Sequence, residues 1–414
     1  MPEIELLVPA GNWEKLKVAV AYGADGVYFG GPDFSLRRHA GNFTAGQLSK
    51  VVAYCRGHQV KSYLTVNSYV HPRELESLSA FLLSLRPHPP DALIVSDPGT
   101  INLCRELLPG IPLHLSTQAN TTNQQAVLFW HRLGIKRVNL ARELSLNDIA
   151  IIHRAIPEME LEVFVHGAMC MAYSGRCLLS SVLTGRSANR GDCAQPCRWS
   201  YAVMEETRPG EYFPIEEDLR GTYLFNSRDL CLLEHLPALR AVGVSSVKIE
   251  GRMKSSYYVA VVTRVYRRMI DLLDQEDGEV SRETMATLKN ELTRVSHRGY
   301  TTGFAAGELA ENAQNASDSS YIRNSQYVAL VEKVRNDSDS QDMWVSVAVK
   351  DQMKVGDRLE VLTPDANDFF ISILQFVDEH GEDVKVVHSG QYVQARCTPG
   401  MLQTAQIFRR QVIR

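Results

Sequence analysis

Four cysteines dominate the middle of this 414-residue sequence: Cys170, Cys177, Cys193 and Cys197, separated by six, fifteen and three residues. Four thiolates within reach of one loop can hold a metal centre. Structural zinc normally uses tighter paired knuckles. Wide, unequal spacing suits an iron–sulfur cluster, which also takes four thiolates. On spacing alone, zinc and redox or structural thiols stay open, and Cys231 is an alternative fourth ligand. The other cysteines are scattered at 55, 104 and 397, and Cys55 and Cys104 fall within helical patterns as small buried hydrophobes. The same segment is basic. Arg176, Arg186, Arg190 and Arg198 stand against one acid, Asp192, with Tyr173, Trp199 and Tyr201 beside them. That pattern fits a surface that contacts phosphates and stacks unpaired bases, so these four arginines are candidate RNA contacts. A solvated loop with a few packing aromatics produces it as well.

A second group of polar residues follows short β-rich runs. Asn67, Asp97, Gln118, Arg142, Glu143 and His166 come directly after such runs, and Lys248, Glu250 and Arg252 lie at or past the end of the last one. Any one of these is commonly a cap or loop residue; nine at one rim point to a site for an anionic substrate. Arg142 and Arg252 supply planar forks for carboxylates and Lys248 a point charge, with Asn67, Asp97 and Gln118 completing the substrate-binding set. Glu143, His166 and Glu250 are the candidates for proton handling. His166 and Cys170 are four apart and could pair as base and nucleophile, but a cysteine committed to metal cannot also attack a carbonyl. Neither H-E-x-x-H nor G-x-S-x-G occurs.

These residues need a scaffold that gathers strand ends. Eight β-rich runs, at 5–8, 26–29, 61–66, 92–96, 112–116, 137–140, 161–165 and 246–249, alternate with amphipathic segments, several of which open on capping residues such as Asn12, Thr44, Thr122 and Ser145. Eight βα units in this length predict an α/β fold, a TIM-like (β/α)8 barrel, whose catalytic residues sit at the C-terminal ends of the strands. The rhythm breaks once, between 166 and 245, where a Cys-rich insertion follows strand seven. The barrel domain is assigned to 1–304 and a linker to 305–326. Six short alternating strands in 327–414 predict a small C-terminal antiparallel β-barrel.

Composition agrees with a globular chain: 44% hydrophobic and 22% charged residues. A net charge of −4 excludes a whole-surface polyanion binder, though not a local basic patch. No apolar run is long enough to span a bilayer. The first residues lack the basic and apolar regions of a secretory signal, so a cytoplasmic location is expected.

The run 162–180, Glu-Val-Phe-Val-His-Gly-Ala-Met-Cys-Met-Ala-Tyr-Ser-Gly-Arg-Cys-Leu-Leu-Ser, resembles the signature of the collagenase-like peptidase family, the peptidases of unknown catalytic type. The resemblance runs from Glu5-Leu-Leu-Val-Pro-Ala-Gly through Ser96-Asp-Pro-Gly, Ala141-Arg-Glu-Leu-Ser and Lys248-Ile-Glu-Gly-Arg into the β-rich tail. Arg190-Gly-Asp-Cys-Ala-Gln-Pro-Cys-Arg-Trp is similar to a branch of that family that modifies tRNA. This resemblance implies oxygen-independent 5-hydroxylation of the wobble uridine, with prephenate as co-substrate. It also implies an iron–sulfur cluster, 4Fe-4S in type, held by Cys170, Cys177, Cys193 and Cys197. The implied partners are the tRNA anticodon loop and prephenate, with a partner subunit left open and no membrane. The family label carries the rival expectation, a peptidase; a non-catalytic tRNA-binding or cluster-delivery protein is the third.

Overall fold

The computed structural model describes residues 4–37, 41–170, 172–199, 202–204, 212–214, 227–275, 280–307, 322–336 and 342–412. Strands β1 (Glu5–Pro9), β2 (Gly26–Gly30), β3 (Lys61–Val66), β4 (Ala92–Val95), β5 (Leu113–Leu115), β6 (Arg137–Asn139) and β7 (Glu160–Ala168) pair in parallel and in sequence. Helices α1 (Trp13–Ala21), α2 (Ala45–Gly57), α3 (Leu75–Ser84), α4 (Pro98–Leu107), α5 (Gln124–Arg132) and α6 (Leu146–Ala155) connect them. The insertion follows, with α7 (Leu179–Thr184) and the hairpin of β8 (Ala202–Met204) and β9 (Tyr212–Pro214). Then come β10 (Asp229–Cys231), α8 (Leu236–Ala241) and β11 (Ser246–Ile249). β11 pairs in parallel with both β7 and β1, closing the expected eight-stranded barrel. Helices α9 (Ser256–Gln275) and α10 (Arg282–Leu292) complete the shell, and β12 (Tyr300–Thr301) lies beside β10, which runs antiparallel to the end of β7.

Alternation decides which side chains face the helices. Outward residues such as Leu6, Val8, Val27, Phe29, Val163 and Val247 are buried and form the main core with the helices. The interior of a TIM barrel is usually filled by branched aliphatic residues. Here it is partly ionic. Arg137, on β6, reaches Glu160 at 2.9 Å and Glu162 at 3.6 Å and also pairs with Glu5. Higher up, Lys248 donates to Glu162 at 2.7 Å, and Asn139 donates to the same carboxylate at 2.8 Å. Burial alone would raise the Glu162 pKa, but Lys248 and Arg137 outweigh it and hold the carboxyl below its usual range. A column of paired charges thus leads from the bottom of the barrel to the C-terminal ends of its strands.

The tail forms β13 (Ser325–Asn336), β14 (Met343–Val349), β15 (Met353–Lys354), β16 (Arg358–Leu362), β17 (Phe369–Val377), β18 (Asp383–Val384), β19 (Val386–Val387), β20 (Tyr392–Cys397) and β21 (Ile407–Gln411). Antiparallel pairing in the order β16-β21-β13-β14-β20-β17, with β17 returning to β16, closes a small barrel. Two details differ from expectation. Of the six expected strands (327–334, 343–349, 357–362, 369–377, 382–387 and 404–408), the one at 382–387 is split into β18 and β19, and β20 is an additional strand whose Val393, Ala395 and Cys397 point into the core.

Candidate active site

The C-terminal ends of the barrel strands open into a cavity of about 440 Å³. All four clustered cysteines, Cys170, Cys177, Cys193 and Cys197, line it. So do Asn67, Gln118, Arg142, Lys248, Glu250 and Arg252 from the rim and Arg176 from the basic loop. The insertion is held there by local chemistry. Asn189 both accepts from the Cys177 N–H at 3.2 Å and donates to the Cys177 carbonyl at 3.1 Å, and its side-chain oxygen also receives the Gln118 amide at 3.3 Å. Arg176 donates to the Gln118 carbonyl at 2.9 Å. Gly175 has φ +83°, and a Cβ there would stand 3.3 Å from the Gln118 side chain and 4.0 Å from the Cys170 sulfur, so the loop passes close against the thiol.

The charged wall centres on Glu250. Its pKa is subject first to burial, which raises it, yet the guanidinium groups of Arg37, Arg142 and Arg252 win and keep it ionised. Arg37 Nε lies 3.7 Å from the carboxylate, and Tyr28 Oη approaches it at 3.3 Å. Burial pulls Arg252 down to about 10, so it still carries its charge at neutral pH. Arg252 donates to Ser35 Oγ at 2.9 Å, to the Leu36 carbonyl at 2.7 Å and to Asn42. Arg142 donates to the Ala168 carbonyl at 2.8 Å and lies 4.8 Å from the Phe164 ring centre. Lys248, at the floor, is already paired with Glu162 and packs 4.6 Å from the Tyr28 ring. Three guanidinium groups against one carboxylate leave this wall formally +2, the complement of a dianion.

Several expected site residues do other work. Asp97 caps α4, accepting from the Thr100 N–H at 2.8 Å, and does not line the cavity. Glu143 accepts from the Ser174 N–H and hydroxyl, both at 2.6 Å, fixing a loop residue at φ +44°. His166 is buried among Tyr258, Tyr266 and Tyr300, away from the cavity lining, and burial drops its pKa to about 3. The His166–Cys170 base–nucleophile pair therefore does not form. Arg186 is paired with Asp192 at 2.8 Å, and Arg190 with Glu74 at 2.6 and 2.9 Å, outside the main cavity. The Arg198 side chain and Tyr201 lie outside the described residues. Cys231 is also away from the cavity, with its sulfur 3.9 Å from Tyr266 Oη and burial pushing the thiol up. Cys55, Cys104 and Cys397 are buried, with pKa values pushed up to about 12.

Arg37, Tyr28, Phe164 and Asn139 were not among the expected site residues. Arg37 follows β2 in a loop whose left-handed residues, Phe34 and Arg37 itself, no hydrophobic pattern signals. Its one sequence cue is a strand end followed by Leu-Arg-Arg at 36–38.

Four cysteine thiols on one cavity are a donor set that an iron–sulfur cluster could use. Zinc held at about 2.3 Å from each sulfur needs closely gathered thiolates. Among the described residues no three His, Cys, Asp or Glu side chains converge to hold one metal ion. Four thiols line one cavity, and the Gln195 N–H donates to the Cys193 sulfur at 3.3 Å, the kind of contact that would tune a cluster bound there.

The description "Peptidase family U32" matches residues 11–315, and "Peptidase family U32 C-terminal domain" matches 323–409. The chain belongs to peptidase family U32. It is 38% identical to the "tRNA hydroxylation protein P" of Escherichia coli K12, across 92% of this chain and 89% of that protein. It is 35% identical to the E. coli "23S rRNA 5-hydroxycytidine C2501 synthase", across 87% of this chain and 52% of that protein. A "Collagenase" of Porphyromonas gingivalis is 34% identical across 74% of each chain. This U32 chain therefore resembles both RNA-modifying proteins and a protein named for proteolysis, and the site has to separate the two.

Proposed function

We propose that this U32 protein hydroxylates C5 of an unpaired tRNA uridine, the wobble uridine of the anticodon loop. Molecular oxygen is not used, prephenate is the co-substrate, and Cys170, Cys177, Cys193 and Cys197 hold an iron–sulfur cluster. One observation carries the reading: four thiols share a cavity with the arginines that surround Glu250. The names of the RNA-modifying relatives support the substrate class.

Replacing C5–H by C5–OH removes two electrons from the uridine. An iron–sulfur cluster supplies one-electron chemistry when bound. The oxygen atom and the sink for those two electrons would come from the co-substrate, and the chain's own residues bind and orient the reactants. Prephenate is a dicarboxylate, and Arg37, Arg142 and Arg252 give its carboxylates charge-assisted partners in a partly dry site. Lys248, neutralised by Glu162, holds the floor polar without adding net charge. Glu250 is the buried carboxylate that can accept a proton beside the bound anion. A uridine in an anticodon loop is already unpaired, so turning it into the cavity is physically cheap. Peptide hydrolysis by a cysteine–histidine pair would need a histidine beside a thiol, and no histidine is among the described residues lining the cavity.

Protein purified without air is expected to be brown and to contain iron and acid-labile sulfide. Colourless, iron-free protein that cleaves gelatin would overturn the reading in favour of the peptidase.

A further inference from the structure

A second cavity, of about 240 Å³, lies beside the first. Three separate segments send consecutive residues to the two. After β2, Pro32–Ser35 face the second cavity while Leu36 and Arg37 face the first; after β3, Asn67 faces the first and Ser68 and Tyr69 the second. In the insertion, Arg190 faces the second cavity, and Gly191 and Cys193 the first. The wall between them is therefore about one chain thick.

That wall is tightly built. The Ser68 N–H donates to the Phe34 carbonyl at 3.1 Å, and the Tyr69 N–H to the Asn189 carbonyl at 3.2 Å. A Cβ on Gly191 would stand 2.6 Å from the Ser35 carbonyl oxygen. Phe34 is held at φ +62°, a left-handed conformation unfavourable for an aromatic residue. Such outliers persist where the surroundings over-determine them, and they cluster at binding sites. Phe34 also packs against Phe81 of α3, with ring centres 5.8 Å apart.

The second cavity combines flat surfaces with polar edges. Glu74 grips Arg190 through two hydrogen bonds, which fixes the guanidinium as a plane. Guanidinium planes and aromatic rings are the surfaces on which unstacked bases rest. The volume is below that of a drug-sized site and suits one planar heterocycle.

We propose that the cavity walled by Phe34, Tyr69, Phe81 and the Arg190–Glu74 pair binds the base next to the target nucleotide in single-stranded RNA. This rests on the RNA-modification reading above and adds to it a source of sequence-context preference. The target base occupies the main cavity, its neighbour lies across the thin wall, and Arg190 supplies a stacking plane.

The test is equilibrium binding of the full-length, anaerobically prepared protein to an RNA stem-loop of the anticodon-arm kind. Abasic sites are placed in turn at the nucleotide before and after the target uridine. For the unmodified protein, one abasic site is expected to weaken binding roughly tenfold, the scale of one lost base–side-chain stack. Arg190→Ala is expected to weaken the intact RNA by a similar factor and to lose no more at that abasic position. Arg190→Lys keeps the charge but not the plane and is expected to behave as Arg190→Ala does. If Arg190→Ala keeps the full sensitivity of the parent, or if the parent is indifferent to both neighbours, the second cavity is not a base site. Those outcomes leave the RNA reading standing. Failure of the parent to bind any stem-loop overturns both.

Discussion

Glu250 illustrates how one buried carboxylate stays ionised: three arginines outweigh the desolvation that would protonate it. The excess positive charge around it leads to a direct prediction. Arg142→Gln, which removes the guanidinium anchored on the Ala168 carbonyl, should weaken prephenate binding about 10–100-fold by calorimetry, given roughly 1.5–3 kcal/mol for a hydrogen bond to a charged group. Its melting temperature should stay close to the parent's; unchanged affinity would remove Arg142 from the site. The buried histidines make a pH prediction. His114 and His166 are both pulled down to about 3, first by burial. The unfolded chain takes up their protons near pH 6.5, while the folded chain resists until about pH 3. Stability is therefore full above pH 6.5 and falls with acidification, by up to roughly 1.4 kcal/mol per pH unit for each histidine. Denaturant titrations of His166→Phe should show a shallower acid limb, and an unchanged slope would contradict the assignment. At this scale the sequence was partly legible. Residue type and position after a strand located Asn67, Gln118, Arg142, Lys248, Glu250 and Arg252, but they did not separate Asp97, whose carboxylate caps a helix, from a ligand. Nor did they show that His166 turns toward the tyrosines of α9 and β12.

At the scale of elements, the barrel strands were legible because outward alternation writes a clear hydrophobic pattern. The ionic interior was not, since Arg137, Glu160 and Glu162 mark a charged column only once neighbouring strands are in register. In the tail, β20 carries polar Gln394 and Arg396 between small or β-branched inward residues, so its pattern is weak without its partners β14 and β17. The insertion depends on a few tight contacts, and Gly191 is the sharpest. At φ +87° with no room for a Cβ, Gly191→Ala should displace the segment carrying Cys193 and Cys197 from the wall at Ser35. Iron content after anaerobic reconstitution should fall at least several-fold, while far-UV circular dichroism of the barrel stays unchanged. Full iron loading would show that the insertion does not rely on this approach.

At the scale of the whole molecule, the two barrels are joined by a buried ionic seam. Arg409, only 1% exposed, binds Glu360 at 2.9 Å and Asp368 at 3.0 Å and also pairs with Glu291. Arg264 from α9 binds Asp368 at 2.6 Å and Glu291 at 2.8 Å. Tyr22 donates to the Leu362 carbonyl at 2.8 Å beside them. Arg409→Ala would remove the guanidinium shared by Glu291, Glu360 and Asp368 and leave them only Arg264 and Arg294, a loss toward the low end of about 3–5 kcal/mol. Calorimetry should then resolve two unfolding transitions in place of one; a single transition at the parent's temperature would show that the seam does not couple the barrels. The central claim concerns what the joined molecule does to RNA. It is tested most directly by mass spectrometry of tRNA from a strain lacking this protein, complemented with the parent or with Cys177→Ala. The account predicts that the parent restores 5-hydroxyuridine at the wobble position and that Cys177→Ala does not. Full restoration by Cys177→Ala, or none by the parent, would contradict it.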